Sequence, residues 1–223
     1  MAKYAVILDL DGTLAYTMDD LTTAINGMLT RLGYKSRTKS ELLKFINNGA
    51  REFVRRSLPK AVQDKELIVD SAVQVYEEEY SKCYIEKTHA YEGMVESLVE
   101  LKQETKVALA VLSNKQDKFV KDIISKLFPE GLFTIVMGQA DMPTKPDPTS
   151  ILHICKKLGV KPNRAYMVGD SDVDIKTAIN AGITPIGVDW GYREPELLRE
   201  TGAKYIVESP EQLFDMFLLL FKK

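Results

Sequence analysis

The chain has 223 residues, enough for one large domain or for a domain carrying an insert. It is 45% hydrophobic and 28% charged, and its 30 basic against 32 acidic side chains leave a net charge of -2, with no basic excess to recommend nucleic acid or an anionic membrane. Its two cysteines, Cys83 and Cys155, form no Cys-x-x-Cys pair and read as thiols in a reducing compartment, so a cytoplasmic location is expected.

The N-terminal apolar run, Tyr4 to Leu8, is too short for a secretory signal and reads as a buried parallel strand. Directly behind it stands Asp9-Leu10-Asp11-Gly12-Thr13. The first strand thus delivers two carboxylates, two residues apart, to its carboxyl end, where open α/β sheets place their ligands. Like charges this close are costly in a partly dry crevice unless a cation holds them. A divalent metal site is expected, with one carboxylate left free for chemistry. The plainer alternative is an acidic turn made by Asp11-Gly12.

From about Thr17 to Lys87 the periodicity is helical. Leu21, Ala24, Ile25, Met28, Leu29 and Leu32 share one face, with Gly33 as the stop. Leu42, Leu43 and Ile46 form a short stripe closed by Asn47-Asn48-Gly49. A third helix carries Phe53, Val54 and Leu58, and a longer one carries Leu67, Ile68, Ala72, Val75, Tyr76 and Tyr80.

From Tyr91 onward strands alternate with helices. Strands are expected at 107–112, followed by Ser113-Asn114, and at 134–137, 165–168, 184–188 and 204–207. Helices are expected at 116–127, 148–158 and 174–181. The tract Met216 to Phe221 is too short to span a membrane and reads as a packed C-terminal helix. The expected fold is α/β: a doubly wound, mostly parallel Rossmann-like sheet with an inserted α-helical cap domain. Residues 1–16 and 88–223 form the core and 17–87 the cap.

Parallel strands bring sequence-distant strand ends together: Asp9 and Asp11, Ser113 and Asn114, Lys145 in the loop after the next strand, and Gly169-Asp170-Ser171 with Asp174. A carboxylate, with an ordinary pKa of about 3.9, is an ionised nucleophile at neutral pH. Its fitting target is a phosphoryl group, but a phosphate dianion beside Asp9 is penalised by roughly 8 kcal/mol at ~4 Å and an effective dielectric of ~20. Mg²⁺ held by Asp9 and Asp170, with Lys145 alongside, reverses that sign. Ser113 and the backbone N–H groups of the turn at Asn114 can donate to phosphate oxygens. Asp11 remains for general acid–base work. Each residue alone has a plainer explanation: Ser113 as a turn residue, Lys145 as a surface charge, Asp170 and Asp174 as helix caps. Their joint occurrence at strand ends opposes those explanations.

This set resembles the haloacid dehalogenase superfamily phosphatases over essentially the whole chain. Asp9-Leu10-Asp11-Gly12-Thr13 matches the first motif, Ser113 the second, Lys145 the third, and Gly169-Asp170-Ser171 with Asp174 the fourth. The resemblance implies a Mg²⁺-dependent phosphoric monoester hydrolase acting through a phospho-aspartate at Asp9. Its catalytic residues would be Asp9, Asp11, Ser113 and Lys145. Phosphate would be bound by Asp9, Gly12, Ser113, Asn114 and Lys145. The metal would be held by Asp9, the Asp11 main-chain carbonyl, Asp170 and, through water, Asp174.

Asn48-Gly49-Ala50 and Val188-Asp189-Trp190-Gly191-Tyr192 resemble phosphoglycolate phosphatase-like members, which implies 2-phosphoglycolate as substrate. Inorganic pyrophosphatases and sugar-phosphate phosphatases share much of this pattern. The chain departs from it at Tyr16-Thr17, where many relatives carry Asp-Ser. Selectivity is expected in the cap, at Asn48, Gly49 and Arg51, where a second anionic group could bind; the equal alternative is that Arg51, Arg55 and Arg56 form a solvated helix face. The remaining alternative from another class is a phospho-accepting receiver module, opposed by the length, the insert and the late Asp170 and Asp174. The expected partner is a small phosphorylated metabolite, with no nucleic acid or membrane, on a monomer or homodimer.

Overall fold

A computed structural model describes residues 2–221; positions 1 and 222–223, the outer ends of the two expected core segments, lie outside the described residues. In chain order, β1 (Tyr4–Leu8) leads to β2 (Ala15–Tyr16). Four helices follow, α1 (Met18–Arg31), α2 (Lys39–Leu43), α3 (Ala50–Ser57) and α4 (Glu66–Cys83), before β3 (His89–Ala90) returns antiparallel to β2. The rest alternates: α5 (Met94–Glu104), β4 (Val107–Gln116), α6 (Asp117–Leu127), β5 (Ile135–Gln139), α7 (Thr149–Leu158), β6 (Ala165–Gly169), α8 (Asp172–Asn180), β7 (Thr184–Val188), α9 (Pro195–Thr201), β8 (Tyr205–Val207) and α10 (Pro210–Phe221).

The six long strands form one sheet in the order β5-β4-β1-β6-β7-β8, and every neighbouring pair is parallel. The chain runs outward from β1 through β4 to β5, then crosses to β6 on the other side. This is the order of a doubly wound Rossmann-like sheet, with its switch point beside β1. Period-two alternation along β1 feeds both faces. Val6 and Leu8 join Leu98, Val120, Ile123 and Phe217 on one side, while Ala5 and Ile7 join Ile151, Ile154 and Ala178 on the other. All four strand residues are fully buried, as expected of a central parallel strand.

The four helices between β2 and β3 bury their own cluster, including Leu21, Ile25, Met28, Leu42, Val54 and Tyr76. Gly33, at φ +74, ends α1 in the left-handed region, where the Tyr34 N–H reaches Leu29 O at 2.8 Å. On α4 the buried stripe is Val69, Ala72, Tyr76, Tyr80 and Cys83. Leu67, expected in that stripe, is 86% exposed, because the stripe begins two residues later. Phe119 of α6 joins this cluster, so the helical block seats on the sheet side through α6.

Two further expectations are corrected. The strand expected to end at Leu112 continues as β4 to Gln116, with a register shift beyond Leu112. The helix expected from Asp174 starts at Asp172: Ser171 caps it and Asp174 closes a capping box with Ser171.

Candidate active site

Asp9 emerges from β1 at the switch point, its N–H bonded to Val168 O of β6 at 3.0 Å and its Oδ1 accepting from Leu10 N at 2.7 Å. Lys145 arrives from the loop after β5. Its Nζ sits 2.9 Å from Asp9 Oδ1 and donates to Asp174 Oδ1 at 2.6 Å and Leu112 O at 3.1 Å. An ammonium has three protons, so this cation is fully satisfied and fixed. Its main chain is held too: Lys145 N donates to Asn114 Oδ1 at 2.8 Å, and Asn114 Nδ2 returns to Lys145 O at 3.0 Å. The Asn114 side chain is therefore engaged in positioning Lys145, which leaves only its backbone N–H for a ligand.

Asp170 leaves β6 beside Asp9. Its Oδ2 accepts from Tyr192 N at 2.8 Å, and Thr13 Oγ1 lies 3.5 Å from Oδ1. Gly12, at φ +81, packs so tightly here that a Cβ would fall 2.3 Å from Asp170 Oδ2. Asp174 Oδ2 accepts from Ser171 Oγ at 2.6 Å while its Oδ1 serves Lys145, so the residue caps a helix and faces the site at once. Carboxylate oxygens of Asp9, Asp170 and Asp174 all lie within 4.8 Å of one another.

The electrostatics of this cluster are strained. Burial raises Asp9 to about 7, against the lowering effect of Lys145 and with help from Asp174 and Asp11. Burial also drives Asp170 well above the carboxylate range, reinforced by Asp174 and Asp9. Burial works to lower Lys145, but Asp174 and Asp9 outweigh it and hold the ammonium above its ordinary value. One ammonium thus stands among three buried carboxylates. The donors are oxygen only, with no Cys or His, and suit a hard divalent cation.

Asp11 stands across the cleft. Its Oδ1 accepts from Thr17 Oγ1 at 2.6 Å and pairs with Lys115 Nζ at 2.5 Å. Thr17 is tied in turn to Tyr192, whose hydroxyl accepts from Thr17 N at 2.8 Å. The cleft is lined by Asp9, Asp11, Ser113, Asn114 and Lys115 from the sheet side, and by Leu21, Ile46, Asn47, Gly49, Ala50, Phe53 and Tyr76 from the helices. Its empty space is about 440 Å³ with the open solvent at its mouth included.

The fold thus brings Asp9, Asp11, Ser113 and Asn114 to one cleft and sets Lys145, Asp170, Asp174 and Gly12 around Asp9. Arg51 is placed otherwise. Its guanidinium pairs with Asp70 and Glu66 of α4, and it lines an outer groove with Asn48 instead of the cleft above Asp9. Lys115 is new to the site, and Thr17, Tyr192 and Asn47, named above only within local patterns, now join it. Lys115 carried one readable signal: it lies two residues beyond Ser113 on the extended β4.

A family profile described as haloacid dehalogenase-like hydrolase matches residues 6–188. The chain belongs to this family. It is 34% identical to the phosphoglycolate phosphatase of Psychrobacter arcticus, with 99% of this chain and 95% of the relative covered. It is also 34% identical to that of Nitrosospira multiformis, covering 92% and 91%. A solved structure of a candidate phosphoglycolate phosphatase from Lactobacillus delbrueckii subsp. bulgaricus superposes with a TM-score of 0.88 at 30% identity, covering 97% and 99%. The chain is accordingly an enzyme, a phosphatase of the haloacid dehalogenase family, and not a receiver module. Divalent metal use is general among such phosphatases, and the buried acidic cluster fits it. Among the described residues no helix is long and apolar enough to cross a membrane.

Proposed function

We propose that the chain hydrolyses small phosphomonoesters with Asp9 as nucleophile, through a phospho-aspartate, and that 2-phosphoglycolate is its substrate. One observation carries the mechanism: Asp9 lines the cleft with its Oδ1 2.9 Å from the Lys145 ammonium, and one of its carboxylate oxygens lies within 4.8 Å of those of two further buried carboxylates. The substrate rests on the names of the relatives. Asp9, Asp170 and Asp174, with the Asp11 carbonyl, would hold Mg²⁺, which would supply the positive charge that lets a phosphate dianion approach Asp9.

In the first half-reaction an Asp9 Oδ attacks phosphorus and the ester P–O bond breaks. Asp11, as general acid, gives a proton to the leaving alkoxide. In the second, Asp11, now a carboxylate, takes a proton from water, whose oxygen attacks phosphorus. The Asp9–phosphorus bond breaks, releasing inorganic phosphate and restoring both side chains. Ser113 and the backbone N–H of Asn114 would bind phosphoryl oxygens, with the Lys145 ammonium beside Asp9 as a point charge, whereas the Gly12 N–H is held by Ala15 O at 3.0 Å.

Residues 17–87 serve as the cap over a core made of 1–16 and 88–223. The separate hydrophobic cluster of that helical block and its place over the cleft support this division. A cytoplasmic location accords with two free, buried thiols.

The test is phosphate release from a panel of phosphomonoesters and pyrophosphate, with Mg²⁺ and with chelator. Wild type should favour 2-phosphoglycolate and stop when chelated, and Asp9→Asn should be inactive while folded. Turnover by folded Asp9→Asn would refute nucleophilic attack by Asp9.

A further inference from the structure

Lys115 is the cation on the cleft wall that the chemistry above leaves without a task. Its side chain is only 7% exposed. Its Nζ meets Asp11 at 2.5 Å and lies 5.1 Å from the centre of the Tyr80 ring. An ammonium offers three donors, and among the described residues Asp11 is the one carboxylate it pairs with. Holding Asp11 does not require a buried charge, since the Thr17 hydroxyl does so at 2.6 Å. A lysine brought this far out of water is costly unless anions meet it.

The same cleft shows a second unmet donor. Asn47 Nδ2 is buried and has no hydrogen-bond partner among the described residues. Asn47 is held at φ +89, just ahead of α3, whose N-terminus at Gly49 has no side-chain cap and also lines the cleft. The remaining helical walls, Leu21, Ile46, Phe53 and Tyr76, carry no charge. With its phosphoryl group at Asp9, a short substrate would present its far end to one ammonium, one free amide and uncapped backbone N–H groups. A carboxylate satisfies all three.

We propose that Lys115 determines specificity by receiving the carboxylate of a small phosphorylated acid, with Asn47 as a neutral donor on the same cleft. This rests on the phosphatase function proposed above. It assigns to Lys115 the role first expected of Arg51, whose guanidinium is committed to Asp70 and Glu66.

The test compares kcat/KM for 2-phosphoglycolate with that for ethyl phosphate, which carries a methyl where the acid has its carboxylate. Asp11 loses a partner in any Lys115 variant, so absolute rates fall with both esters and the ratio is the readout. Lys115→Met should lower the ratio by about tenfold or more, mainly through KM, the size of one lost charged hydrogen bond. Lys115→Arg should retain most of it. Asn47→Asp, which tolerates the same backbone and sets a like charge in the cleft, should lower the ratio even if Lys115→Met does not fold. Equal losses with both esters in Lys115→Met and Asn47→Asp, or no preference for the acid in wild type, would overturn the role. Wild type that releases phosphate from neither ester would remove the phosphatase function itself and this role with it.

Discussion

Two glycine-scale and hydroxyl-scale contacts set the site. Gly12 occupies a positive φ with Asp170 Oδ2 where a Cβ would stand. Gly12→Ala should therefore displace Asp170 and add backbone strain, costing about 1–3 kcal/mol. Urea denaturation should register that loss, and a Mg²⁺ titration of activity should shift to higher concentration. Thr17 and Lys115 hold Asp11 on the same oxygen. Thr17→Val keeps the volume and removes the hydroxyl, so kcat should fall about tenfold with KM nearly unchanged, the signature of a group needed in the transition state. Asp9, Asp11, Ser113, Lys145, Asp170 and Asp174 were legible because strand-end acids, a hydroxyl and a lysine follow apolar runs. The Lys115–Asp11 pair was not, because 104 residues separate its members and no local pattern reports such a contact. Arg51 pairs with Asp70 and Glu66 of another helix, contacts that spacing alone does not report.

At the level of elements, β1, β6 and β7 were legible to within about a residue, since buried parallel strands are short apolar runs bounded by turns. The extension of β4 through Ser113-Asn114-Lys115-Gln116 was hidden by its polarity, which reflects the site and not solvent. The two-residue strands β2 and β3 are too short to carry a period. The junction they make is secured by Asp20, a fully buried acid that accepts from Thr88 N at 2.8 Å, Thr88 Oγ1 at 2.7 Å and Lys87 N at 3.0 Å. Asp20→Ala strands those donors and should lower stability by about 2 kcal/mol or more by chemical denaturation. On α4, Leu67→Ser should change stability by less than about 0.5 kcal/mol. Val69→Ser, in the buried stripe, should cost several times that.

Across the whole molecule, the helical block and the sheet meet along polar contacts that surround the cleft. Arg193 donates to the carbonyls of Leu43 and Ile46, Asn114 Nδ2 to Asn47 O at 3.2 Å, and Gln116 to Glu77. These bonds bring the apolar walls of the helical block against Asp9 and Asp11. Beneath them lie the three clustered carboxylates proposed to hold the cation. Mg²⁺ should raise Tm in a concentration-dependent manner, by about 2.7 kcal/mol of stabilisation at a hundred times Kd, and Asp170→Asn should abolish that rise.

The covalent step can be caught directly. p-Nitrophenolate leaves without a proton, so Asp11→Asn should still be phosphorylated by p-nitrophenyl phosphate yet hydrolyse the product slowly. Acid quench of that variant during turnover, followed by fragmentation mass spectrometry, should find one phosphoryl group on Asp9. A phosphoryl group on any other side chain, or a folded variant that turns over with none bound, would contradict nucleophilic attack by Asp9.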